Sequence, residues 1–126
     1  MEAPYWKGTG MSLTFNHTII AARDRHVSAS FFTRLFGLPE PTVWGPFVSV
    51  MLDGGVLLQF AEPGLDDIQS QHYAFLVDER KFDKIYERIL EAGIEHWADP
   101  QETLPGRINT NHQGRGVYFR DPAGHG

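Results

Sequence analysis

Gly114-Arg115-Gly116-Val117-Tyr118-Phe119-Arg120-Asp121-Pro122-Ala123-Gly124-His125-Gly126 is the stretch whose reading decides the fold. Residues Gly116 to Arg120 carry Val, Tyr and Phe, side chains that suit a pleated, half-buried strand. Asp121-Pro122-Ala123-Gly124 then sets Asp first, Pro second and Gly fourth, the preferred order of a type I turn. A strand that runs into such a turn calls for a return strand, and that strand is expected beyond Gly126.

Working outward, the same kind of unit stands earlier in the chain. Leu13 to Ala21 (LTFNHTIIA) reads as a strand with Leu13, Phe15, His17 and Ile19 on one face, since side chains alternate. Val27 to Phe36 reads as a helix with an apolar stripe of Val27, Phe31, Phe32, Leu35 and Phe36, ended by Gly37. Extended segments follow at Thr42 to Trp44, Phe47 to Leu52 and Val56 to Glu62, with Asp53-Gly54-Gly55 as a hairpin turn and Pro63-Gly64 closing the unit. The order then restarts. His72 to Asp78 (HYAFLVD) is a strand, and Arg80 to Ala92 is a helix with Phe82, Ile85, Tyr86, Ile89 and Leu90 at helical spacing, ended by Gly93. Glu95 to Ala98 and Val117 to Arg120 are extended. From His17 to Gly37 is 20 residues and from His72 to Gly93 is 21; His17 to Val27 and His72 to Phe82 are both 10. Matched spacing of this kind indicates an internal repeat. The expected fold is α+β, two βαβββ modules over about 13–64 and 72–126 in one domain of residues 13–126, with the last strand of the second module absent from this sequence.

Composition narrows the function. The 126 residues are 41% apolar, with nine Phe, four Tyr and three Trp, enough for a real core. A net charge of −5 offers no footprint for nucleic acid or an anionic membrane, so neither is an expected partner. The absence of cysteine excludes disulfides, zinc–thiolate sites and thiol nucleophiles. No apolar run approaches a membrane span, and residues 1–10 lack the basic start and apolar stretch of a signal peptide. Met11-Ser12 looks like a natural start, so residues 1–12 are expected to be a flexible extension of a cytoplasmic protein.

The repeat gives chemistry to two histidines. His17 alone, between Phe15 and Ile19, reads as a core imidazole with one hydrogen bond. His72 stands at the matching place of the second unit, and two imidazoles turned into one cavity are the usual start of a divalent metal site. A third, anionic ligand is still needed. Gln59, the one polar interior residue of its strand, is either a weak neutral ligand or a hydrogen-bonding group across the cavity. The loop from Leu104 to Gln113 either lids the cavity, with Arg107 binding an anionic group, or is a plain surface loop. His125 and His112 read either as a general base or, more simply, as solvated loop histidines.

These features resemble the vicinal oxygen chelate superfamily, also called the glyoxalase/bleomycin resistance/extradiol dioxygenase superfamily. The carriers are His17 in FNHTII, the Phe31-Phe32…Leu35-Phe36-Gly37-Leu38 helix end, Gln59 in LLQF, His72 in HYAFLVD, and GRGVYFRDPAGHG. The resemblance implies an open, cupped eight-stranded mixed sheet around a divalent ion, Fe, Mn, Ni or Zn. It implies His17 and His72 as ligands, and a Glu seven residues after Asp121, just past Gly126, as the third. It places Tyr118 in the cavity as a catalytic hydroxyl, against the plain alternative of a strand tyrosine with a wet tip. It makes Gln59 and Arg107 candidate substrate-binding residues. The implied function is a metal-dependent enzyme of the glyoxalase/dioxygenase type, an isomerase, ring-cleaving dioxygenase or transferase acting on a small oxygen-chelating molecule. The competing function is a drug-sequestering protein of the bleomycin-resistance type, with Trp44, Phe47, Phe60 and Trp97 lining a cleft. Clefts in this family are commonly completed by a partner, so a homodimer is expected.

Overall fold

A computed structural model describes residues 13–64 and 68–126. The expected extension at 1–12 lies outside these residues. The first module runs β1 (His17–Ala21), α1 (Arg25–Phe36), β2 (Thr42–Trp44), β3 (Phe47–Met51) and β4 (Leu57–Ala61). Its strands form one sheet in the order β1-β4-β3-β2, with β1 parallel to β4 and the other pairs antiparallel. A parallel β1–β4 pair needs a long crossover, and α1 with the β2–β3 hairpin supplies it. Asp24 caps α1: its Oδ1 accepts the backbone N–H of His26 and of Val27. Gly37, at φ 66°, ends the helix in the left-handed region that glycine adopts without strain.

The second module holds α2 (Glu79–Glu91), capped by Asp78 at the N–H of Lys81, and a short antiparallel pair, β5 (His96–Trp97) with β6 (Tyr118–Phe119). The segment 72–78, expected as a strand, makes no ladder among the described residues. Its side chains still alternate as on a pleat: Tyr73, Phe75 and Val77 turn toward the core, while His72, Ala74, Leu76 and Asp78 are exposed. The reason lies in the repeat. In the first module β1 owes its ladder to β4, and among the described residues only Gly126 bonds the 72–78 segment in the corresponding way.

Backbone hydrogen bonds display the repeat directly. In the first module Gly55 N donates to Leu52 O (3.1 Å), Leu52 N to Val56 O (2.8 Å) and Leu57 N to Asn16 O (3.0 Å). In the second, Gly124 N donates to Asp121 O (3.0 Å), Asp121 N to His125 O (2.9 Å) and Gly126 N to Gln71 O (3.0 Å). The turn read from Asp121 to Gly124 therefore forms and carries the chain back. Tyr73 N also donates to Gly126 O (3.1 Å), so Gly126 sits opposite His72 as Leu57 sits opposite His17.

One apolar core serves both modules. Ile20, Val48, Val50, Leu58 and Phe60 face α1 from one sheet, with Ala29, Phe32, Leu35 and Phe36 on the helix, and Ile85 and Ile89 join them from α2. Phe32 packs between Phe60 and Phe75 with its ring tilted to each, at centroid distances of 5.4 and 6.0 Å. Not every expected stripe residue is inside: Val27 is 52% and Leu90 56% exposed.

Candidate functional site

Because Ile20, Leu58, Phe60, Val48 and Val50 point into the core, their strand neighbours point the other way. That opposite, open face carries His17, Ile19 and Ala21 from β1, Leu57, Gln59 and Ala61 from β4, Phe47, Ser49 and Met51 from β3, and Thr42 and Trp44 from β2. None of these eleven side chains is charged when His is neutral. His17 is exposed, with Nδ1 at 2.5 Å from Asn16 Oδ1. Gln59 is 4% and Ser49 8% exposed, and the two are direct partners across the β3–β4 ladder.

In the second module the open face carries His72, and the ring of Tyr118 lies stacked on it at 6.2 Å and 25°. His72 Nδ1 lies 2.9 Å from the carbonyl oxygen of Gly126. A carbonyl oxygen only accepts, so His72 Nδ1–H donates in this bond. His72 and Tyr118 together line a cleft of about 260 Å³ and a second one of about 330 Å³. His17 lines neither, so within the described chain each imidazole belongs to its own module's open face. No group of three His, Cys, Asp or Glu among the described residues is placed to hold a metal.

The remaining candidates divide. Arg107 is an exposed loop side chain away from both clefts. Arg120, the residue after β6, is ion-paired with Glu102 at 2.6 Å. Phe60 belongs to the core at 0% exposed, whereas Trp44 is 67% exposed on the open face. The side chain of His112 lies outside the described residues. His125 is not a solvated loop histidine: it is 4% exposed, accepts from Gln71 N at Nδ1 (3.0 Å) and meets Ala21 O at Nε2 (2.8 Å). Both ring nitrogens are engaged, so it has no free nitrogen to act as a base. Asp121 shapes the same corner. Its Oδ1 accepts from Ala123 N and His125 N, and its Oδ2 is buried without a partner. Burial, and then the Asp121 carboxylate, push the Tyr73 phenol above its ordinary value of 10.0.

Sequence reading did not single out Ser49. The signal was present as a polar residue flanked by Val48 and Val50 and facing Gln59 across a hairpin.

The fold agrees with a family match. The model of the Glyoxalase/Bleomycin resistance protein/Dioxygenase superfamily matches residues 14–126. The chain belongs to this superfamily. Metallothiol transferase FosB of Shouchella clausii (strain KSM-K16) is 32% identical over 116 residues, 87% of this chain and 74% of the relative. Glutathione transferase FosA of Serratia marcescens is 29% identical over 122 residues, 91% of this chain and 78% of that protein. Among solved structures, Oxidase ChaP-H1 is 48% identical with a TM-score of 0.87, covering 90% of this chain and 91% of that one. These superfamily relatives are enzymes, as the sequence reading expects of this chain, and they span transferase and oxidase chemistry. No helix among the described residues is long and apolar enough to cross a membrane.

Proposed function

We propose that this superfamily member is a metal-dependent enzyme acting on a small substrate with neighbouring oxygens, of oxidase type. The observation that carries the reading is the matched rung: His17 opposite Leu57 and His72 opposite Gly126, each imidazole on its module's open face. The donor chemistry fits a divalent ion. The His72 Nδ1–H bond to Gly126 O leaves Nε2 to face a metal, the arrangement that orients ligating imidazoles. His17 and His72 would supply two ligands. Gln59 lies two residues after Leu57, so its counterpart lies two residues after Gly126, where the superfamily's carboxylate ligand is expected. A bound ion of this kind supplies Lewis-acid polarisation of a chelated oxygen. Around it, Tyr118 would present its hydroxyl to the substrate from beside His72, and Gln59 would bind a substrate oxygen from the first sheet. The oxidase reading, over the transferase one, is supported by the 48% identity to ChaP-H1.

The open faces support a homodimer as the assembled site. Ile19 is 56%, Met51 55%, Trp44 67% and Leu76 102% exposed, all on the faces that carry the two histidines. A second copy would cover them and bring one chain's His17 face to the other's His72 face.

The test is metal stoichiometry. Metal-free protein is titrated with Fe(II), Mn(II), Ni(II) and Zn(II) and compared with His17→Ala and His72→Ala. Loss of binding in each variant is the expected result. Undiminished binding in both would falsify the reading.

A further inference from the structure

We infer that the groove between α1 and the C-terminal end of α2 binds a small amphipathic carboxylate, an anionic head on an extended apolar chain. The groove shares no lining residue with the two clefts beside His72 and lies on the helical side of the molecule. It is therefore independent of the metal reading.

The sequence of α1 builds one wall. Residues four apart share a face of a helix, so Val27, Phe31 and Leu35 form one row, and His26, Ser30 and Arg34 form the row beside it. The first row is apolar and the second polar. Val27, expected on the core stripe, is 52% exposed because it lines this groove. Arg88 and Ala92 at the end of α2 form the opposite wall, with Ile94 after them and Pro122 from the turn. The groove has a volume of about 730 Å³, in the range of small-molecule sites.

The two ends differ in charge. Arg23 Nη1 donates to Pro122 O (3.3 Å), which sets Pro122 beside the start of α1. Arg88 Nη1 donates to Leu35 O (2.9 Å), which sets that guanidinium at the C-terminal end of the same helix, where Arg34 also stands. Arg34 is exposed and makes no hydrogen bond or ion pair among the described residues. Glu91 is the one acid in the lining, so with His neutral two arginines against one glutamate leave the groove at +1, in a chain of net charge −5. A local cationic end on an acidic protein attracts an anion, and the apolar row beside it takes an oily body. A cationic ligand would meet two guanidinium groups, and a neutral one would gain nothing from them. Val27 to Leu35 is eight helical steps, roughly 12 Å at about 1.5 Å each. An extended chain of about ten bonds spans that length, at about 1.2 Å per bond. The head is placed at Arg34 and Arg88, and the chain runs along Leu35, Phe31 and Val27 toward Pro122.

The test uses three probes of one chain length, decanoate, decanol and decylammonium. Each is titrated into metal-free protein while NMR follows the methyl groups of Val27, Leu35, Ile19 and Met51. Decanoate is expected to shift Val27 and Leu35 saturably, to bind more tightly than either control, and to weaken as salt rises. Arg34→Gln is expected to weaken decanoate about two- to fivefold, the worth of one exposed ion pair, and to leave decanol unchanged. Val27→Asp is expected to abolish the shift at Leu35; an unchanged midpoint of thermal unfolding shows that each variant is folded. Equal affinity for the three probes, or an Arg34→Gln protein that binds decanoate as the wild type does, overturns the carboxylate. Saturable shifts at Ile19 and Met51 with none at Val27 place the ligand on the open sheet face and overturn the groove. Failure of decanoate to shift any of the four methyl groups overturns it outright. If Val27→Asp then also lowers the mass seen by light scattering, the occupant is a second copy of the chain.

Discussion

His125 shows how much a single residue can hold. Its Nδ1 accepts the N–H of Gln71, where the second module begins, and its Nε2 donates to the carbonyl of Ala21, the last residue of β1. Its ring edge also meets Tyr73 at 5.7 Å. His125→Ala is expected to leave two backbone groups unpaired and to cost about 2–4 kcal/mol in urea unfolding. A change within about 0.5 kcal/mol would show that water replaces the ring. Tyr73 makes a pH prediction. Its raised pKa means that the folded state keeps the phenolic proton while the unfolded chain releases it. The contribution is therefore present below the ordinary value of 10.0 and is lost as pH rises past it. Unfolding free energy is expected to fall more steeply between about pH 9 and 11 in the wild type than in Tyr73→Phe; parallel profiles would count against this. At this scale the sequence was half legible. The repeat marked His17 and His72, but Ser49 and His125 take their surroundings from neighbours far along the chain, and no spacing rule shows those.

At the level of elements, local signals served well wherever local bonds decide the outcome. Asp24 and Asp78 cap their helices, and Gly37 and Gly93 end them, at φ 66° and 65°. Asp24→Ala is expected to remove two cap bonds and to lower stability by about 1 kcal/mol, read by thermal unfolding followed by circular dichroism. The segment 72–78 shows the limit. Its alternation is plain in HYAFLVD, yet a strand is completed by a neighbour, and a ladder cannot be read from one segment alone. The Asp53-Gly54-Gly55 turn was legible for the opposite reason, since Gly54 and Gly55 take φ 82° and 83° within the turn itself.

Considered whole, the molecule buries one face of its main sheet against the helices and leaves the other face open. Aliphatic and aromatic side chains stand exposed on the faces that carry His17 and His72, a pattern that marks an interaction surface. Light scattering at micromolar concentration is expected to give twice the chain mass, and Leu76→Lys to shift the population toward single chains; an unchanged single-chain mass in the wild type would sink the dimer. The superfamily placement was legible because the duplicated pattern spans nearly the whole chain. Within the described chain the modules are joined by a shared interior and not by the two histidine faces. That shared interior has its own consequence. Phe32 touches an aromatic ring from each half of the gene, so neither half owns a complete oily centre. A calorimeter should therefore record a single melting peak, and the two pieces made separately should each stay unstructured until mixed.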